Sequence, residues 1–200
     1  MPVLKRSVRI LLFVLLTALI AFAFSGCMDI GGNTKPDVTA PPMTASYYED
    51  YDAAYTHYNQ VAFTDTLETL TARFGEPEVL ETENGNNYTW IMEDGYGFTA
   101  AFYETGALRV KVVHYEDIRQ FSKLSNSTNL STVESFDKDV DFQTCVAVFA
   151  GRPIEIAQIA NSSDGSDIKR VYTWLDQNDN IVQILFKADG KVESISYNVQ

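Results

Sequence analysis

The tripeptide Tyr-Thr-Trp occurs at Tyr88–Trp90 and again at Tyr172–Trp174, and the two copies contain both tryptophans of the chain. A shift of 84 positions does more than match these three letters. It also maps Phe102 onto Phe186, Gly106 onto Gly190 and Leu108 onto Val192 without a gap. Upstream, Ala72–Pro77 (ARFGEP) resembles Val148–Pro153 (VFAGRP) once a single residue is allowed for Ala150. Self-similarity at fixed spacing is the mark of a repeated unit. The chain therefore reads as a tandem duplication of a unit of about 65 residues.

The first unit shows a helical period followed by strand periods. Leu67, Leu70 and Phe74 fall at i, i+3 and i+7, one face of a helix. Thr64, Asp65 and Thr66 offer capping oxygens at its start, and Gly75 and Pro77 stop it. A shorter helix is predicted over Asp52–Gln60. Strands are predicted at NYTWIM, GFTAAFY and ALRVKVVHY, separated by EDGY and ETG, with a weaker strand at Val79–Glu83. Strict alternation would place Tyr88, Trp90 and Met92, Phe98, Ala100 and Phe102, and Leu108, Val110 and Val112 on one sheet face against the helices. The second unit repeats the order, with helices near Ser131–Lys138 and Phe142–Phe149. Its strands lie near Ile154–Ile159, Lys169–Asp176, Ile181–Lys187 and Lys191–Val199.

The N-terminus is a targeting segment. Lys5, Arg6 and Arg9 precede an apolar run from Ile10 to Phe24 that only Thr17 interrupts. That run is short for a membrane span, which needs about 20 apolar residues. It ends at Phe24-Ser25-Gly26-Cys27, small residues before a cysteine, which resembles a bacterial lipobox with Phe24 at the position usually held by Leu. The resemblance implies lipid attachment at Cys27 and cleavage before it. An ordinary secretory signal and an uncleaved anchor are the other readings. The expected organisation is a signal peptide over 1–26, a flexible Gly/Pro/Thr/Ser-rich tether over 27–50, and α+β units over 51–125 and 126–200. Such a tether reaches about 25 Å, and the protein would stand outside the cytoplasmic membrane. Loss of residues 1–26 leaves 12 basic against 27 acidic residues, a net charge of −15. An acidic chain without clustered Lys and Arg is not expected to bind nucleic acid.

His57–Gly75 (HYNQVAFTDTLETLTARFG) resembles the first helical hairpin of the β-lactamase inhibitory protein family and its lipoprotein relatives. Tyr58, Asn59, Gln60, Val61 and Gly75 match, and Thr64 and Asp65 stand where the family has Gly-Met. ILFKADGKVESISY resembles the family's closing hairpin, whereas ESFDKDVDF matches the second unit's helical hairpin poorly. The resemblance spans residues 55–200. It implies an α+β fold of two tandem units, each a helix-turn-helix with a four-stranded antiparallel sheet. None of the inhibitor's enzyme-contacting residues transfers to a matching position.

A search for chemistry finds little. His57 and His114 stand apart, and no His-x3-His or Cys-x2-Cys spacing points to zinc, so neither a metal nor a cofactor is expected. Asp176–Asn180 (DQNDN) resembles the opening of a calcium loop but has Ile181 and Lys187 where Gly and Glu belong. It reads as a hairpin turn, and Asn161–Asp167 reads as a loop. Cys145, in an apolar helical pattern, reads as a small core residue. The tyrosine-rich stretch YYEDYDAAYTHY reads as a solvated approach to the first helix, with a recognition patch as the alternative.

No enzymatic activity is expected. The leading expectation is a lipid-anchored, protein-binding module with an unknown protein partner. The alternative is an inhibitor of a secreted or cell-envelope enzyme such as a β-lactamase or penicillin-binding protein. Tyr103, Arg109, Lys111 and Tyr115, with Lys187 and Tyr197 in the second unit, alternate away from the expected core set. They form the candidate partner-binding face on a partly exposed concave sheet. The other reading of these residues is the plain outer face of an antiparallel sheet.

Overall fold

The computed structural model describes residues 52–114, 136, 139–149, 153–175 and 181–198, all within one compact unit. Cys27, the tether, Tyr115, Asp176–Asn180 and most of the helix expected near 131–138 lie outside the described residues.

Two short helices open the described chain, α1 (Asp52–Asn59) and α2 (Leu67–Phe74). Thr66 is the N-cap of α2: its hydroxyl accepts from the Thr69 N–H, and the Thr69 hydroxyl accepts from the Thr66 N–H. This reciprocal pair satisfies two donors that a helix start otherwise leaves open. Asp65 braces the turn between the helices, accepting from the Ala62 N–H at 2.8 Å and from Arg73 at 3.0 Å. Gly75 ends α2 at φ 86°, a conformation in which a side chain would be strained.

Four strands follow, β1 (Glu78–Thr82), β2 (Gly85–Ile91), β3 (Gly97–Phe102) and β4 (Leu108–His114). Then come α3 (Phe142–Phe149) and β5 (Ile154–Ala160), β6 (Ile168–Leu175), β7 (Ile181–Phe186) and β8 (Val192–Asn198). All eight strands form one antiparallel sheet in the order β1 to β8. This overturns the expectation of two helix-turn-helix plus four-strand units. Among the described residues there are three helices, of eight residues each, against one continuous eight-stranded sheet. The reason is the seam. β4 pairs with β5 through Val110–Ile159, Lys111–Gln158 and Val112–Ala157. Two separate sheets would each leave an apolar edge with unpaired backbone, and pairing removes both edges.

The 84-residue shift is visible in the strand registers. Trp90 faces Phe98 as Trp174 faces Val182, and Tyr88 faces Ala100 as Tyr172 faces Ile184. The β3–β4 bulge between Ala101 and Phe102 has its counterpart between Leu185 and Phe186. Each bulge is followed by the same turn, closed by Gly106 at φ 82° and Gly190 at φ 81°.

The described helices pack on one sheet face. Phe74 of α2 meets Phe98 at 5.0 Å between ring centroids, and Trp90 stacks on Phe98 at 4.9 Å. In the second half Phe142 of α3 meets Tyr172 at 4.5 Å and Phe149 meets Trp174 at 5.1 Å. Cys145 lies in that cluster with Val182, Ile184 and Phe186. Burial raises its thiol pKa well above the usual range, so it stays a protonated core residue.

The two tryptophans are both buried, but their indole nitrogens differ. Trp90 donates to the Gly75 carbonyl at 2.8 Å, whereas Trp174 Nε1 has no hydrogen-bond partner among the described residues. Replacing either by Ala is expected to cost about 3–5 kcal/mol. Trp90→Phe should cost about 1 kcal/mol more than Trp174→Phe, because only the first loses a hydrogen bond. Urea denaturation of the two Phe variants checks this, and equal losses would mean that the Gly75 bond contributes nothing.

Candidate functional site

The described residues of the expected binding face do not share a surface. Strict alternation fails at the bulge. Phe102 pairs with Leu108 and Ala101 with Val110, so Arg109 is the extra residue and the parity of the strand reverses behind it. Leu108, Lys111 and Val113 therefore face the helices, while Val110 and Val112 lie on the other side. Glu193 is the extra residue in β8, which turns Ile195 and Tyr197 toward the helix side. Both pack against the second core cluster.

Lys111 is the clearest correction. It is buried at 5% exposure, and its Nζ donates to the carbonyls of Val61 at 2.7 Å and Tyr58 at 3.2 Å. It also sits 4.3 Å from the Tyr58 ring centroid, a cation–π distance. Tyr103 is half-buried, and its hydroxyl donates to the Ala160 carbonyl at 2.7 Å, a tie to the end of β5. Arg109, Lys187 and Tyr197 are half-buried, and Tyr115 lies outside the described residues. The expected open concave surface is corrected as well. On the face away from the helices, Ala101, Val110, Val112, Ala157, Val171 and Thr173 are all buried. Thr89 and Thr99 bond each other there at 2.9 Å. Their counterparts Thr173 and Gln183 pair in register, yet Thr173 Oγ1 and Gln183 Oε1 have no hydrogen-bond partner among the described residues.

Beneath α1 the structure gathers a polar cluster that sequence reasoning missed. Glu155 on β5 is buried, and its Oε1 accepts from the Tyr58 hydroxyl and from Gln158 Nε2, both at 2.8 Å. Its Oε2 accepts from Arg170 at 3.2 Å. The Tyr55 hydroxyl donates to the Glu155 carbonyl. The two tyrosines lie 100 and 97 positions from Glu155 in sequence. The one available signal was a Glu inside the apolar run IEIAQIA, where a buried carboxylate demands partners. Burial lowers the Lys111 pKa from 10.5 to about 8; Glu155 opposes the shift, Arg170 adds to it and Asp65 opposes it. The cluster ties α1 to the seam between β4 and β5.

Other motifs resolve as structure. Asn161–Asp167 forms the β5–β6 turn, where the Ser162 and Ser166 hydroxyls and the Ser166 N–H hold the exposed Asp164 carboxyl down at about 2. His57 meets Asp94 at 3.4 Å. Among the described residues no three His, Cys, Asp or Glu side chains stand together as a metal set, and no helix is long and apolar enough to cross a membrane.

The exposed apolar surface lies at one edge. Val79 (53%), Leu80 (44%) and Ile91 (37%) are the exposed large hydrophobics among the described residues, and all lie on β1 and β2. β1 pairs with β2 and with no other described strand. The opposite edge is partly closed: the Val192 N–H donates to the Val140 carbonyl, and Asp141 bridges Lys191. Searches with the sequence find no matching family model and no matching curated protein.

The titration of Lys111 is testable. Below about pH 8 the lysine is charged in both states, and burial of the charge opposes folding. Between about 8 and 10.5 the native state gives up the proton and the unfolded state keeps it, so stability rises with pH across that window. Relative to Lys111→Met, the wild-type chain should gain about 3 kcal/mol there. Urea midpoints at several pH values check this, and a flat difference would refute it.

Proposed function

We propose that this chain is a lipid-anchored, extracytoplasmic, non-catalytic protein-binding module, and that β1 is its docking edge. The observation that carries the reading is an edge strand that, among the described residues, is paired on one side only, with Val79 and Leu80 exposed on its two faces. Proteins usually blunt such edges, because the open backbone pairs readily with another chain. Main-chain pairing with a partner strand would supply affinity, and contacts at alternate side chains would supply selectivity. The lipobox-like FSGC and the tether support display at a membrane surface.

A photo-reactive residue at Val79 is expected to capture a discrete envelope protein in intact cells. The same residue at Ser194 on β8 should not, and Leu80→Lys should reduce capture without lowering the melting temperature. Equal capture from both edges would overturn the reading. For the anchor, Cys27→Ala should abolish labelling by palmitate; equal labelling of variant and wild type would remove the lipid from the proposal.

A further inference from the structure

We infer that the strand accepted by β1 comes from a different protein and alternates apolar and basic side chains. This rests on β1 being the docking edge, and it names the class of partner. The molecule holds its own template for the contact. β5 occupies in the second half the place that β1 occupies in the first. Val79 faces Tyr88 as Glu155 faces Tyr172, two tyrosines related by the 84-residue shift. Beyond the β5 irregularity at Ile156, Leu80–Asn87 corresponds to Ala157–Val171, Glu81–Asn86 to Gln158–Arg170, and Thr82–Gly85 to Ile159–Lys169.

The far side of β5 is filled by β4, which sets Val112 on Ala157, Lys111 on Gln158 and Val110 on Ile159. Transposed onto β1, the missing strand has an apolar residue opposite Leu80, a basic residue opposite Glu81 and a second apolar residue opposite Thr82. β4 itself, LRVKVVH, is a strand of that pattern.

Charge points the same way. Glu76, Glu78, Glu81 and Glu83 are all exposed along β1 and its flanks, and no Lys or Arg occurs between Arg73 and Arg109. A second copy fits poorly. β1 against β1 would bring together two edges that each carry Glu78 and Glu81, and β8, the counterpart of β4, carries Glu193 and Ile195 where β4 has Arg109 and Lys111. Like charges across strands oppose pairing, and opposite charges favour it.

The test uses the full chain in detergent and two labelled peptides. One is GALRVKVVH, the sequence of residues 106–114, and the other carries Glu at both basic positions. Fluorescence anisotropy should show the basic peptide bound roughly 10-fold more tightly. Glu78→Lys/Glu81→Lys should invert that order, and a photo-reactive residue at Val79 should cross-link the basic peptide. If the double variant misfolds by circular dichroism, Glu81→Gln should still narrow the ratio. Equal binding of the two peptides, or an order that the variants leave unchanged, would overturn the inference. So would concentration-dependent self-association in sedimentation that Leu80→Lys abolishes. Capture of an envelope protein at Val79 together with failed peptide discrimination would leave the docking edge standing and reject the basic strand alone.

Discussion

The pairing of β4 with β5 is the constraint on which the rest of the structure depends. It joins eight strands into one sheet, and it brings Lys111 and Glu155 under α1. A buried carboxylate and a buried ammonium are costly unless their hydrogen bonds are met. Here Tyr58 serves both: its hydroxyl donates to Glu155, and its carbonyl accepts from the Lys111 ammonium. α1 can therefore dock in one place only, the place where both charges find partners. A seam of apolar residues alone would hold the halves together but would specify their register less sharply.

The bulges after β3 and β7 have a larger consequence than their size suggests. One extra residue reverses which side chains meet the helices for the remainder of the strand. In β4 this sends Lys111 inward and leaves Val110 and Val112 on the opposite face. In β8 it brings Ile195 and Tyr197 onto the core around Cys145 and Phe149. Equivalent positions therefore take different residues. Where β4 inserts a lysine toward α1, β8 inserts an isoleucine toward the cluster beneath α3.

The same repetition explains why the two edges of the sheet differ. A unit that pairs on both sides satisfies its edge strands internally, as β4 and β5 do. Among the described residues the outermost strands have no such neighbour. Val140 and Asp141 cover the beginning of β8, while β1, among the described residues, pairs on one side only and carries an acidic surface. Acidic side chains on an edge deter pairing with like copies and leave pairing with a basic strand open.

The sequence by itself determined the local elements and their repetition. Aromatic alternation marked β2 and β3, Leu67, Leu70 and Phe74 marked α2, and the 84-residue spacing marked the equivalence of the strand registers. These signals are local, because helical and strand periods depend on neighbours a few residues away. The tertiary structure alone decided the rest. A bulge leaves no mark in a run such as LRVKVVH, so the face of Lys111 depended on which β3 residue each β4 residue opposed. The merger of the halves depended on β4 finding β5 across some 40 intervening residues. The candidate site followed from both: an edge strand is defined by what does not pair with it, and that is a property of the assembled sheet.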